Sequence, residues 1–452
     1  MRIPTNGGEA EQDTTEEAEP VGGSGGRAAL STGLRLGLGL AVVGIAGYAF
    51  LAIVGNVFEP ELAAALASTY LLINIIGPGF FTALEQETNR AVSDRIAKDR
   101  PIRPIVIRTA ALAAALFGVA AVLLVGLAPL LLSRVLADRP GLLVALVLAA
   151  ASAAMAYWLR GVLAGQQRFA AYAMAVFIEG IARLLPCVLL AVVGWAVADV
   201  YGLVFAAGAA VAALVMLPSL GVGRRPVGPV GPADRLVDGE ADTVRRGLML
   251  LVWATLLTQV LANLAPVVVT GRLTEDKATA VAFATAFVMS RIPLFLFSPV
   301  QAVLLPALTR SAAAGQFDDV RRRVRMTILA VCAVGLPGAA LAALLGPWLT
   351  RVFFGIPVPV SSAVFGVLGL TTVVAMLTQV LQPALVAIGR HRIVTTSCAA
   401  GTAVFLLILL LPLPPVTAAL IAQLVGPGVV LLVGGAVLLR ALDGAGSGEP
   451  RR

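Results

Sequence analysis

The sequence predicts an all-α polytopic membrane protein: twelve transmembrane helices in two six-helix bundles related by pseudo-two-fold symmetry along the membrane normal. Three observations predict it. Of 452 residues, 59% are hydrophobic and only 13% charged, a balance that a soluble globule does not carry. The apolar residues fall into twelve runs of roughly 20, the length that crosses a hydrocarbon core. The basic residues are segregated, with 26 of the 33 in the tails and in every second connection. The alternate connections hold only Arg134, Arg139, Arg272, Lys277 and Arg351. The positive-inside rule then places both termini in the cytoplasm, in agreement with an even number of spans in a cell membrane. The net charge of +8 is thereby a topological signal, and nucleic acid is excluded as a partner.

Residues 1–27 are polar, Gly-rich and acidic (Glu9, Glu11, Asp13, Glu16, Glu17, Glu19), which predicts a disordered cytoplasmic tail. They do not read as a signal peptide, because the start is acidic and the first apolar run is too long. The N-terminal bundle is expected over 28–220, with spans near 33–56, 62–84, 105–132, 141–164, 170–194 and 201–220. Residues 221–246, rich in Gly, Pro and Arg, read as a cytoplasmic linker. The C-terminal bundle is expected over 247–440, with spans near 247–271, 279–305, 326–349, 361–388, 393–412 and 417–440. A short tail, 441–452, follows. No connection is long enough for a soluble domain. Cys187, Cys332 and Cys398 lie in apolar runs without metal-ligand spacing and read as packing residues. With one histidine, His391, a histidine-based metal site or triad is excluded, and no cofactor is expected.

The two halves resemble each other. Residues 63–70 read AAALASTY and residues 280–287 read AVAFATAF, each after an acidic turn. Residues 163–169 read LAGQQRF and residues 386–393 read VAIGRHRI, each a helix end, a Gly-containing turn with arginine, and a new start. A six-span unit begins and ends on one side of the membrane, so its copies are parallel repeats, and such repeats place substrate at their interface near the midplane.

The deep polar residues point to that interface. Arg291 lies within the apolar stretch Val281–Arg310, followed by Pro293, Pro299 and Pro306. At ~1.5 Å per residue it is roughly 18 Å from the polar turn ending at Ala278. An arginine at that depth costs about 2.5–3.5 kcal/mol on insertion scales and faces a partner or a wet cavity. Arginine suits phosphate, because its planar fork donates in pairs and stays charged. The bland alternative is an ion pair or snorkelling. The repeat places Asn74 opposite Arg291. Glu179 and Arg183, four residues apart, share one helix face and are expected to pair. They read either as a structural pair or, under the resemblance given next, as a head-group contact (Arg183) beside an ion-coupling acid (Glu179). Asn263, Gln259, Gln379 and Gln382 are uncharged polar residues inside spans; under the resemblance given next they bind sugar hydroxyls, and otherwise they join helices. Glu85, Glu87 and Arg90 read as a solvated helix end. Arg160 and Arg168 read as topology determinants or lipid-phosphate contacts, and Arg321, Arg322, Arg323 and Arg325 as positive-inside signal.

Several short motifs, in order, resemble the multidrug/oligosaccharidyl-lipid/polysaccharide (MOP) exporter superfamily, and within it the polysaccharide-type, Wzx-like flippases. They are Gly77-Pro78 with Gln86, Arg90 and Ser93; Arg160-Gly161-Val162-Leu163 with Gln167-Arg168-Phe169; and Glu179 with Arg183. In the second half they are Asn263, Arg291 and Pro293 with Pro306, and Phe354-Gly355. The likeness covers about 30–440. It implies a transporter, not an enzyme, that flips an undecaprenyl-pyrophosphate-linked oligosaccharide by rocking two bundles, amid membrane lipids and alongside glycosyltransferases and a polysaccharide polymerase. The lipid II flippases of the superfamily carry two further spans and a more basic lumen. The alternative within the fold is a multidrug (MATE-type) cation antiporter, which needs acidic and aromatic residues in its lumen.

Overall fold

The computed structural model describes residues 24–221, 238–294, 304, 308, 310–312, 314–356, 358–388 and 390–446. Its helices are α1 (Ser24–Val57), α2 (Pro60–Ala97), α3 (Arg103–Gly126), α4 (Ala128–Arg134), α5 (Pro140–Gly165), α6 (Phe169–Val193) and α7 (Ala198–Met216). A 3-10 turn, Leu217–Leu220, ends this half. The second half holds α8 (Asp238–Arg272), α9 (Lys277–Met289), α10 (Phe317–Phe354), α11 (Ser362–Ala387), α12 (His391–Leu410) and α13 (Pro415–Gly446). Among the described residues, 11 helices are long and apolar enough to cross a membrane. The expected span at 279–305 begins as α9, and most of its second half lies outside the described residues. So do most of the two tails and residues 222–237 of the linker.

Several helices outrun the apolar stretches that announced them. α2 continues past residue 84 to Ala97, and α8 begins at Asp238, inside the stretch read as linker. Both extensions are polar, and hydropathy does not see polar helix. Pro60 and Pro140 open α2 and α5, where a missing N–H is harmless. Left-handed Gly194 and Gly355 end α6 and α10. Asp276 caps α9 by accepting from the Thr279 N–H at 3.0 Å. Hydrogen bonding from Thr279, its hydroxyl foremost and this N–H second, holds the carboxyl below the ordinary range.

Packing follows the repeat. α2 packs on α5, α5 on α7, and α1 and α7 on α6; in the second half α10 packs on α11, and α12 on α13. The halves meet chiefly along α2 and α8, with α9 also against α2. Thr255 of α8 donates to the Gly79 carbonyl of α2 at 2.6 Å. Large apolar side chains such as Val122, Val192, Leu344 and Leu410 lie on the outside, each more than two-thirds exposed, as a surface in lipid requires.

At the arginine-poor end the halves are also joined across α1 and α10. Asn56 donates through Nδ2 to the Phe353 carbonyl at 3.1 Å, and Gly55 lies against the Phe354 carbonyl so closely that a Cβ would collide with it. Gly55→Val is therefore expected to open this end. Spin labels at positions 56 and 353 should report a longer mean distance in the variant than in the parent. An unchanged distance would show that the contact closes nothing.

Candidate substrate site between the two bundles

A buried charge cluster forms in the first bundle because a tight turn, Gln166–Arg168, sends α6 back beside α5. Arg160 of α5 donates through Nη1 to Glu179 Oε2 at 3.1 Å, and Arg183 Nη2 lies 2.6 Å from Glu179 Oε1. Both oxygens of Glu179 are thus held by guanidiniums. Glu85 of α2 lies 3.5 Å from Arg160 Nε and accepts from the Tyr172 hydroxyl at 2.6 Å. Arg160 sits 4.1 Å above the Tyr157 ring and Arg183 5.3 Å from the Phe205 ring. Two arginines face two glutamates, so the cluster is neutral.

The pairing of Glu179 with Arg183 is the one the four-residue spacing predicts. Two expectations are corrected. Arg160 is only 8% exposed, so it is a core ion-pair residue and not a loop determinant. Glu85 is tied to Arg160 and Tyr172 and is not a solvated helix end; it is the partner that burial of Arg160 demands. Glu87 and Arg90 do pair at the surface. Arg168 donates to the Ser219 carbonyl, holding the turn after α7. Only glycine at 208 lets α7 approach the stem of Arg183, because a Cβ there would overlap it. The Nε of Arg183 is buried without a hydrogen-bond partner.

Arg291 is different. It follows α9 on a tight turn, its Nη2 donates to Gln423 Oε1 of α13 at 3.1 Å, and its guanidinium sits 4.1 Å above the Phe287 ring. Gln423 is aimed by its own amide, which donates to the Leu261 carbonyl at 3.0 Å. Among the described residues no carboxylate pairs with Arg291; the charged or ionisable neighbour it feels is Tyr48. Tyr48 belongs to α1 of the other bundle and donates to the Val288 carbonyl at 3.3 Å. Tyr48 also lies within electrostatic reach of Tyr70, which in turn lies within reach of Arg183. Two tyrosines therefore stand between the deep arginines of the two bundles.

Of the predicted amides, Asn74 donates to the Tyr70 carbonyl at 2.8 Å and so joins this tyrosine pair. Asn263 donates to Gln259 Oε1 at 3.0 Å, and Gln382 to the Cys398 sulfur at 3.4 Å. The first pair lies within α8, and the second joins α11 to α12. Gln379 is on α11, half-buried. Gln423, Tyr48 and Tyr70 were not foreseen. One signal was available: Pro78, Pro383 and Pro427 stand four residues after Asn74, Gln379 and Gln423. Each proline removes the helix bond to that residue's carbonyl, marking it as a polar spot in an apolar span.

No family model matches the chain. Over 442 residues it is 28% identical to the uncharacterized protein Rv3630 of Mycobacterium tuberculosis, covering 95% of this chain and 96% of that one. Over 380 residues it is 30% identical to the uncharacterized protein Rv1510 of the same organism, covering 81% and 82%. This chain belongs to the Rv1510 family. The family's fold is that of the MOP exporters. An inward-facing multidrug resistance MATE transporter of that superfamily superposes with a TM-score of 0.72 at 12% identity, over 91% of this chain and 96% of its own. The lipid II flippase MurJ, in an inward closed conformation, gives 0.65 at 13% identity, over 92% and 93%. The twelve-span, two-bundle architecture read from the repeat is thus the architecture of this family member, a multi-pass membrane protein.

Proposed function

We propose that this protein is a flippase that carries a polyprenyl-pyrophosphate-linked oligosaccharide from the inner to the outer leaflet of the cell membrane. The observation that carries the reading is Arg291: a half-buried cation beside the bundle interface, held by an amide and a ring. Neutral partners leave its charge to be answered by an anion. The arginine-rich end is the cytoplasmic one, with both termini there. Arg183, with its spare Nε, is the second head-group contact, and Asn74, Gln259, Asn263 and Gln379 supply amides for sugar hydroxyls. Glu179 couples transport to an ion by competition, because an incoming sodium ion or proton would take an oxygen now held by Arg183 or Arg160. Glycosyltransferases and a polymerase would act before and after it, and no reaction chemistry is assigned to the chain itself.

The rival, a MATE-type cation antiporter, needs carboxylates free to take a cation. Among the described residues the deep carboxylates Glu85 and Glu179 are both engaged by Arg160, so a transported cation has to displace a guanidinium as the coupling ion does, whereas an anion at Arg291 displaces no carboxylate. The test is reconstitution of the full chain in liposomes, comparing movement of a fluorescent undecaprenyl-pyrophosphate disaccharide with uptake of ethidium. Movement of the glycolipid alone supports the flippase. Movement of ethidium alone would establish the antiporter.

A further inference from the structure

We infer that the apolar groove between the Met289–Pro293 turn, α10 and α11 holds a stretch of the isoprenoid tail whose pyrophosphate head meets Arg291. This rests on the flippase reading. The groove encloses about 200 Å³; a dry cavity of roughly 150 Å³ already takes a benzene-sized ligand. Ser290 and Thr372 are its two polar lining residues. Their hydroxyls are spent on their own helices, donating to the Phe287 carbonyl at 2.8 Å and the Leu368 carbonyl at 3.0 Å. The walls therefore offer an occupant only hydrocarbon.

Position argues for one particular occupant. Ser290 and Ile292 line the groove and flank Arg291 in the chain, while the guanidinium turns to α13. A single helical turn thus separates a cation seeking an anion from a slot fit for hydrocarbon. Ile292 and Leu341 are 45% and 55% exposed, so the slot is open along its side, as a chain entering from the bilayer requires. Along α10 it runs from Gly335 to Gly346, roughly 16 Å of helix at ~1.5 Å per residue, toward the arginine-poor end. A lipid with its head at Arg291 and its tail along this path keeps the orientation of the inner leaflet, its head on the cytoplasmic side of its tail. The space is also not a by-product of close helix packing. A Cβ at Gly346 or Gly369 would strike neighbouring atoms, whereas one at Gly338 meets nothing within 4 Å.

The test uses the full chain in phosphatidylcholine nanodiscs, with inorganic pyrophosphate, farnesyl pyrophosphate and undecaprenyl pyrophosphate as probes. The parent should bind undecaprenyl pyrophosphate at least about 10-fold more tightly than inorganic pyrophosphate. Gly338→Phe should erase that preference and leave inorganic pyrophosphate binding unchanged; Ala342→Phe, on the same wall, serves if the first variant does not fold. Arg291→Ala should weaken all three probes. A preference that survives the filled groove overturns the proposal. So does labelling of α10 by a diazirine phosphatidylglycerol that undecaprenyl pyrophosphate does not displace, because an ordinary membrane lipid then occupies the slot. If the parent binds no pyrophosphate in any form, it is the flippase reading that fails.

Discussion

Arg291→Ala is expected to reduce glycolipid movement at least ~100-fold while leaving the amount of folded protein unchanged. A guanidinium donating two bonds to a phosphate contributes about 1.5–3 kcal/mol for each charge-assisted bond, and each ~1.4 kcal/mol is a factor of ten. The fold loses much less. Among the described residues the side chain makes one hydrogen bond, to Gln423, and one ring contact, to Phe287, the latter about 0.5–2 kcal/mol. Against these stands the roughly 2.5–3.5 kcal/mol of placing an arginine at such depth. Arg291→Lys should fall between, because the charge stays and the paired donors go. The measurement is flipping in liposomes beside thermal unfolding in detergent. Full activity in the alanine variant would remove the pyrophosphate contact, and a collapse in stability would make Arg291 a structural residue.

Glu179→Ala is expected to do the reverse, damaging the fold first. Its two oxygens hold Arg183 at 2.6 Å and Arg160 at 3.1 Å. Without them Arg160 keeps only Glu85, and Arg183 loses its carboxylate partner; breaking a buried pair by removing one partner costs about 3–5 kcal/mol. Low protein levels and a markedly lower Tm should follow. The double variant Glu179→Ala/Arg183→Ala should regain part of the loss, since one stranded cation is gone. A coupling of that sign is what residues in one network show. A Glu179→Ala protein that melts with the parent would mean the cluster holds nothing together.

The contrast between these variants also shows what the chain discloses before folding. Glu179 and Arg183 sit on one helix four residues apart, so their pairing follows from helix geometry alone. Arg160 and Glu85 lie on other helices, 19 and 94 residues from Glu179 in the sequence. No local period reveals that three helices bring them together, and both sit near the ends of their apolar runs, where solvation is the default expectation. Arg291 was legible because a charge deep in an apolar run has no bland place to go. Its partner Gln423 was not, because an uncharged amide among the apolar residues of α13 carries a weak signal. The twelve-span plan was legible because lipid imposes length and the positive-inside rule imposes direction. Helix ends were the least legible part: the polar extensions of α2 and α8 have no apolar signature.

The neutrality of the Arg160–Glu179–Arg183–Glu85 cluster has an electrical consequence. A membrane voltage does no net work on a group of zero charge, so rocking the first bundle leaves that cluster indifferent to the potential. Arg291 lacks a carboxylate among the described residues, and moving one elementary charge through a potential is worth about 2.3 kcal/mol per 100 mV. On the flippase reading, an inside-negative voltage draws the empty cationic site inward and drives the site loaded with a multiply charged pyrophosphate outward. The same field then favours both strokes of an export cycle.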